Sequence, residues 1–90
     1  MPTYIVESYA ADGAVVDQCD RAARAAQAAS GIRYIRTTFV PGDEVVLHLF
    51  EAGSSEALRN AVELVQLDCD RMVEVLESAE QGVTTERGPR

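Results

Sequence analysis

The chain has 90 residues, 8 basic and 15 acidic side chains and a formal charge of −7, and all its basic residues are arginine. Hydrophobic residues make up 47% of it, too many for a disordered segment, and no apolar run approaches the roughly 20 residues that span a bilayer as a helix. Net acidity argues against nucleic acid, and Met1-Pro2-Thr3-Tyr4 lacks the basic start and apolar stretch of a signal peptide, so the expectation is a cytoplasmic domain with neither a membrane nor a nucleic-acid partner.

Thr3 to Tyr9 is rich in β-branched and aromatic residues and reads as a strand, broken by Ala10-Ala11-Asp12-Gly13. From Ala14 to Ser30 the spacing turns helical, with Val15, Cys19, Ala22, Ala23, Ala26 and Ala29 on one stripe. Gly31 is a fitting stop for that helix. Ile32 to Val40 is a second strand, Pro41-Gly42-Asp43 a tight turn, and Glu44 to Ala52 a third strand, which together make a hairpin. Ser54-Ser55-Glu56 opens a second helix, with a serine cap and an acidic first turn, and Ala57, Leu58, Ala61, Val62 and Val65 form its apolar stripe. Arg71 to Leu76 is the last strand. Residues 1–78 therefore form one domain, and 79–90 read as a flexible C-terminal tail.

The order βαββαβ on so few residues predicts an α+β fold, the ferredoxin-like sandwich, with a four-stranded antiparallel sheet and two helices on one face. The expected strand order is fourth, first, third, second. A chain this short buries only about 60–65% of its unfolded surface, so it calls for a disulfide, a metal or a partner subunit. Cys19 and Cys69 form no C-x-x-C pair and read as a buried thiol and an incidental one. That leaves a homodimer, with the chain as its own partner.

Alternation along the strands then assigns faces. In the third strand Val45, Leu47 and Leu49 are uniformly apolar and are expected under the helices, with Val46, His48 and Phe50 on the open face. Tyr4, Val6, Ile35, Phe39, Val73 and Val75 are likewise expected inward. Outward fall Ile5, Glu7, Tyr9, Tyr34, Arg36, Thr38, Met72, Glu74 and Leu76. The result is an expected polar row of Glu7, His48 and Glu74, supported by Tyr34, Arg36 and Thr38. It is framed by a dimer face of Ile5, Tyr9, Val46, Phe50, Met72 and Leu76.

Two carboxylates and a histidine have the chemistry to hold a divalent transition metal, or to move a proton if burial raises a carboxylate. The plainest role for the row is structural, with Glu7 or Glu74 paired to Arg36 or Arg71 across an interface. No nucleophile motif, phosphate loop or dinucleotide fingerprint is present.

Several stretches in order resemble a known family. They are Tyr4-Ile5-Val6-Glu7, the run Gly31 to Pro41 with Asp43-Glu44, Leu49-Phe50-Glu51-Ala52, Ser55-Glu56-Ala57 and Asp70-Arg71-Met72-Val73-Glu74-Val75. The chain from Thr3 to Leu76 resembles a bacterial family of small uncharacterised domains that includes a nickel-binding protein. The resemblance implies a ferredoxin-like homodimer and, for one member, nickel held by several histidines. Here His48 is the only histidine, and Asp68 and Cys69 replace the proline and aromatic residue expected before Asp70-Arg71.

Two functions are therefore expected. One is a cytoplasmic homodimer that binds a metal ion or small organic ligand. The other is a small enzyme of the dimeric α+β barrel kind, an isomerase, cyclase or cofactor-free monooxygenase.

Overall fold

The computed structural model of the chain describes residues 1–78 and 83–86, with side chains over 1–76. Its elements are β1 (Thr3–Tyr9), α1 (Val15–Ala28), β2 (Arg33–Val40), β3 (Val45–Glu51), α2 (Ser55–Leu64), β4 (Arg71–Ser78) and β5 (Val83–Glu86), with a single 3-10 turn at Asp12–Ala14 before α1. All strand pairs are antiparallel, in the order β2-β3-β1-β4-β5. The four central strands and two helices are the ferredoxin-like α+β arrangement. β5 differs from the expectation of a tail without structure: Val83–Glu86 pairs along the outer edge of β4. The remainder of the expected tail lies outside the described residues.

Local chemistry explains where the elements stop. Gly31, just past α1, has φ +81, a left-handed conformation that costs a residue with a Cβ about 1 kcal/mol. Ser54 caps α2, its hydroxyl accepting from the Ala57 amide at 3.1 Å. Asp17 and Arg21 pair one turn apart at 3.0 Å, and Arg21 also donates to the Gln66 carbonyl at 2.9 Å, which ties α1 to the end of α2.

The core lies between the helices and one sheet face. Ala22 and Ala25 of α1 and Leu58, Ala61 and Val62 of α2 pack on Tyr4, Val6 and Phe50, with Tyr34 and Met72 at the margin. The alanines let α1 lie close to the strands, as small residues permit. The Phe50 and Tyr34 rings meet at 5.5 Å, tilted by 47°.

This core corrects several expected faces. Residues directly opposite in an antiparallel pair share a face. Tyr4 lies opposite Phe50, Val6 opposite His48 and Ser8 opposite Val46. Tyr4 and Val6 point to the helices as expected, so Val46, His48 and Phe50 point there too, against the expectation. On β4, Met72 lies opposite Val6 and Glu74 opposite Tyr4, while Val73 lies opposite Ile5 and Val75 opposite Thr3. Met72 and Glu74 thus take the helix side, and Val73 and Val75 the open side. The open face carries Ile5, Leu47, Leu49, Val73 and Val75. It also carries Glu7, Arg36, Thr38 and Arg71, but within β3 and β4 both alternating sets are largely apolar, so alternation in those strands had no polar face from which to take its sign.

The hairpin supplies a second correction. Tyr34 lies opposite Phe50 and Arg36 opposite Leu49, with a bulge between them. The bulge takes up one residue, so Tyr34 and Thr37, three apart in sequence, come to the same face. Tyr34 is therefore on the helix side, while Arg36 and Thr38 stay on the open side as expected.

Candidate functional site: a buried polar relay under the first helix

The expected row does not assemble. Glu7 is on the open face, opposite Leu47 and Arg71. Its carboxylate lies 3.5 Å from the Arg71 guanidinium, a half-exposed pair. His48 and Glu74 are on the helix side, with β1 between their strands. Arg36 and Thr38 are exposed on the open face, and Tyr34 lies under the helices. The expected dimer face divides as well. Ile5 and Tyr9 are on the open face, Val46 and Phe50 are fully buried on the helix side, Met72 packs on the core, and Leu76 follows Met72 by alternation. Among the described residues no group of three or more His, Cys, Asp and Glu side chains is placed to hold a metal ion.

What the fold does bring together is a chain of hydroxyls ending on His48. The imidazole is fully buried. Its Nδ1 lies 2.7 Å from the Thr37 hydroxyl, which is hydrogen-bonded in turn to the Tyr34 phenol. Cys19 of α1 is the next member, with its thiol against the same phenol. The bulge in β2 makes this possible, since it alone puts Tyr34 and Thr37 on one side.

Burial pushes the Tyr34 phenol above its ordinary value, the hydrogen bond to Thr37 works against this, and Cys19 adds to it. Either hydroxyl of the Tyr34–Thr37 pair can be the donor, and the role of His48 Nδ1 follows from its tautomer. In the tautomer with the proton on Nδ1, Thr37 accepts from the ring and Nε2 is an unprotonated acceptor. Burial also lowers the His48 pKa from 6.5 to about 4, so the ring is neutral at neutral pH.

Nε2 has no hydrogen-bond partner among the described residues. The same is true of two other buried atoms, Ser8 Oγ on β1 and Gln18 Oε1 on α1. The Gln18 amide nitrogen donates to Asp68 at 3.4 Å, a long bond that turns its oxygen away from that carboxylate. Sequence reading singled out His48 but missed Ser8, Gln18 and Thr37. Ser8 was readable, because it continues the inward parity of Tyr4 and Val6. Thr37 was not, because its side depends on the bulge. The two cysteines are free thiols, and burial pushes Cys69 up, with nearby Arg59 opposing.

No protein-family model matches the chain, and no curated protein matches it. Among solved structures the chain is similar to SCO4226 of Streptomyces coelicolor A3(2), known from a crystal structure, with a TM-score of 0.67 and 19% sequence identity over 86% of this chain and 99% of that one. At that identity the likeness carries the fold alone.

Proposed function

We propose that the chain is a homodimeric ligand-binding domain of the cytoplasm. In this reading two copies meet through their open sheet faces, and each holds a small ligand on its helix side, beside His48. The observation that carries the reading is the open face itself. Ile5, Leu47 and Val73 are only half-buried there, beside Leu49 and Val75, which the single chain already buries. No described helix packs on that side, and a contiguous apolar sheet face on a small domain needs cover. Around the patch stand Glu7 with Arg71, Arg33 with Glu51 at 3.1 Å, and the exposed Arg36. Both signs of charge are present, which suits a two-fold contact between identical surfaces. Free Cys19 and Cys69 agree with a reducing compartment.

Acid–base catalysis has less support. An imidazole with a pKa of about 4 is a weak base at neutral pH. A metal held by Glu7, His48 and Glu74 together has less still, because those side chains lie on opposite faces of the sheet. Native mass spectrometry and sedimentation of the full chain test the reading together. Twice the chain mass with a retained small molecule is the expected result. A monomer at micromolar concentration that releases nothing on denaturation overturns it.

A further inference from the structure

Ser8, Gln18 and His48 come from three elements and occupy one layer. Ser8 and His48 are diagonal neighbours on the helix side of β1 and β3, since Ser8 is opposite Val46 and His48 opposite Val6. Diagonal positions on one face are about 7–8 Å apart, a span that an imidazole and one bridging molecule can cover. Gln18 is on the inward stripe of α1 with Ala22 and Ala25, the stripe that covers this face. The exposures of Ser8, Gln18 and His48 are 0%, 8% and 0%, so all three are removed from solvent. Leaving a buried polar atom unpaired is costly, and native proteins meet that demand with a partner in nearly every case. Three such atoms on one side of the sheet each call for a partner.

The chemistry of that partner can be read from the atoms. Gln18 Oε1 accepts only. His48 Nε2 accepts when the ring proton sits on Nδ1, facing Thr37. The Ser8 hydroxyl both donates and accepts. With that tautomer the guest donates twice. It must also be neutral, because this environment already keeps its own imidazole uncharged, and an unpaired cation is disfavoured there for the same reason. We propose that Ser8 Oγ, Gln18 Oε1 and His48 Nε2 form one internal site for a small neutral group that donates two hydrogen bonds. A water molecule has that chemistry, and so does the NH2 of a primary carboxamide. This rests on the ligand half of the function proposed above and is independent of the dimer half.

The test is long-range proton–nitrogen NMR of the His48 ring in the full-length, nitrogen-15-labelled chain. The expected spectrum has a protonated Nδ1 and an unprotonated Nε2 whose shift is that of a nitrogen accepting a hydrogen bond. Ser8→Ala and Gln18→Leu should each move the Nε2 signal towards that of a free ring nitrogen. Ser54→Ala, at the distant cap of α2, should leave it in place. Two arms separate the sources. A cross-relaxation peak between the ring protons and a long-lived water, with no response to acetamide, identifies water. A saturable shift with acetamide, absent with N,N-dimethylacetamide, identifies a carboxamide. Either arm supports the site. A proton on Nε2, or an Nε2 already at the free-nitrogen shift in the parent protein, overturns it. So does an Nε2 signal indifferent to both Ser8→Ala and Gln18→Leu. The parent spectrum decides even where a variant fails to fold. A sedimentation result of monomer would remove the dimer and leave the Nε2 signal as it is.

Discussion

Thr37 and His48 sit opposite each other across β2 and β3, and their side chains meet at 2.7 Å on the side covered by α1. This contact makes His48 a directed group. It holds Nδ1, leaves Nε2 uncommitted and links the ring through Tyr34 to Cys19. It also accounts for how a histidine is tolerated with no solvent exposure: half its polar demand is met by a neighbouring strand.

The first prediction concerns pH. The folded His48 pKa of about 4 is below the unfolded value of 6.5. Between these values the unfolded chain binds a proton that the folded one does not. The stability gained from the neutral ring is thus fully present above pH 6.5 and lost as pH falls towards 4. The loss amounts to about 3 kcal/mol. Carboxylates titrate in part of the same window, so the comparison is with His48→Gln. Thermal melts of both proteins from pH 7.5 to 4.5 should converge as the parent loses this contribution. Parallel profiles would refute the assignment.

The second prediction tests the relay. Thr37→Val keeps the shape and removes the hydroxyl between Tyr34 and His48. Both neighbours lose a buried partner, and the cost should be about 2–4 kcal/mol by denaturant titration. Tyr34→Phe should cost less, about 1–2 kcal/mol, because Thr37 keeps its bond to His48. The double variant should be less destabilised than the sum of the two, since both remove the same hydrogen bond.

A third prediction separates the two sheet faces. Leu47→Lys places a charge on the half-buried part of the open face, and Phe50→Ala empties part of the core. The first should shift sedimentation from dimer to monomer while the helical circular dichroism remains. The second should cost about 3–5 kcal/mol of stability whatever the association state. If Leu47→Lys still sediments as a dimer, the open face is not the contact.

A fourth prediction is small in size and specific in sign. Glu7 pairs with Arg71 at 3.5 Å, and not with Arg36, which lies two strands away along the sheet. The pair is half-exposed, so Glu7→Gln should change stability by no more than about 1 kcal/mol. Added nickel or zinc should act equally on parent and variant melting temperatures. A metal shift lost with Glu7→Gln would restore Glu7 to a metal site.

Much of the fold was legible from local chemistry. Gly31, Pro41-Gly42-Asp43 and the Ser54 cap mark ends and turns that need little more than their own residues to form. Helical spacing over α1 and α2, and the β-branched run Thr3 to Tyr9, identify the elements between them. Their number, order and lengths leave the ferredoxin-like sandwich as the solution, and the parity of Tyr4 and Val6 places β1 correctly.

The faces of β2, β3 and β4 were decided by tertiary structure. In β3 the two alternating sets are Val45, Leu47, Leu49 and Val46, His48, Phe50, and both are apolar enough to be buried. Burial of the uniformly apolar set is the natural reading of the strand by itself. Pairing overrules it, because Tyr4 opposite Phe50 and Val6 opposite His48 must share a side. The bulge after Tyr34 shifts β2 by one residue, which no spacing rule announces, and it is what turns Thr37 towards His48. β5 arises in the same way: Val83–Glu86, with three β-branched residues of its four, pairs on the edge of β4. Residue identity therefore determined which elements form and where they end. Register and edge pairing, which exist only between elements, decided which side chains meet, and so decided where the candidate site lies.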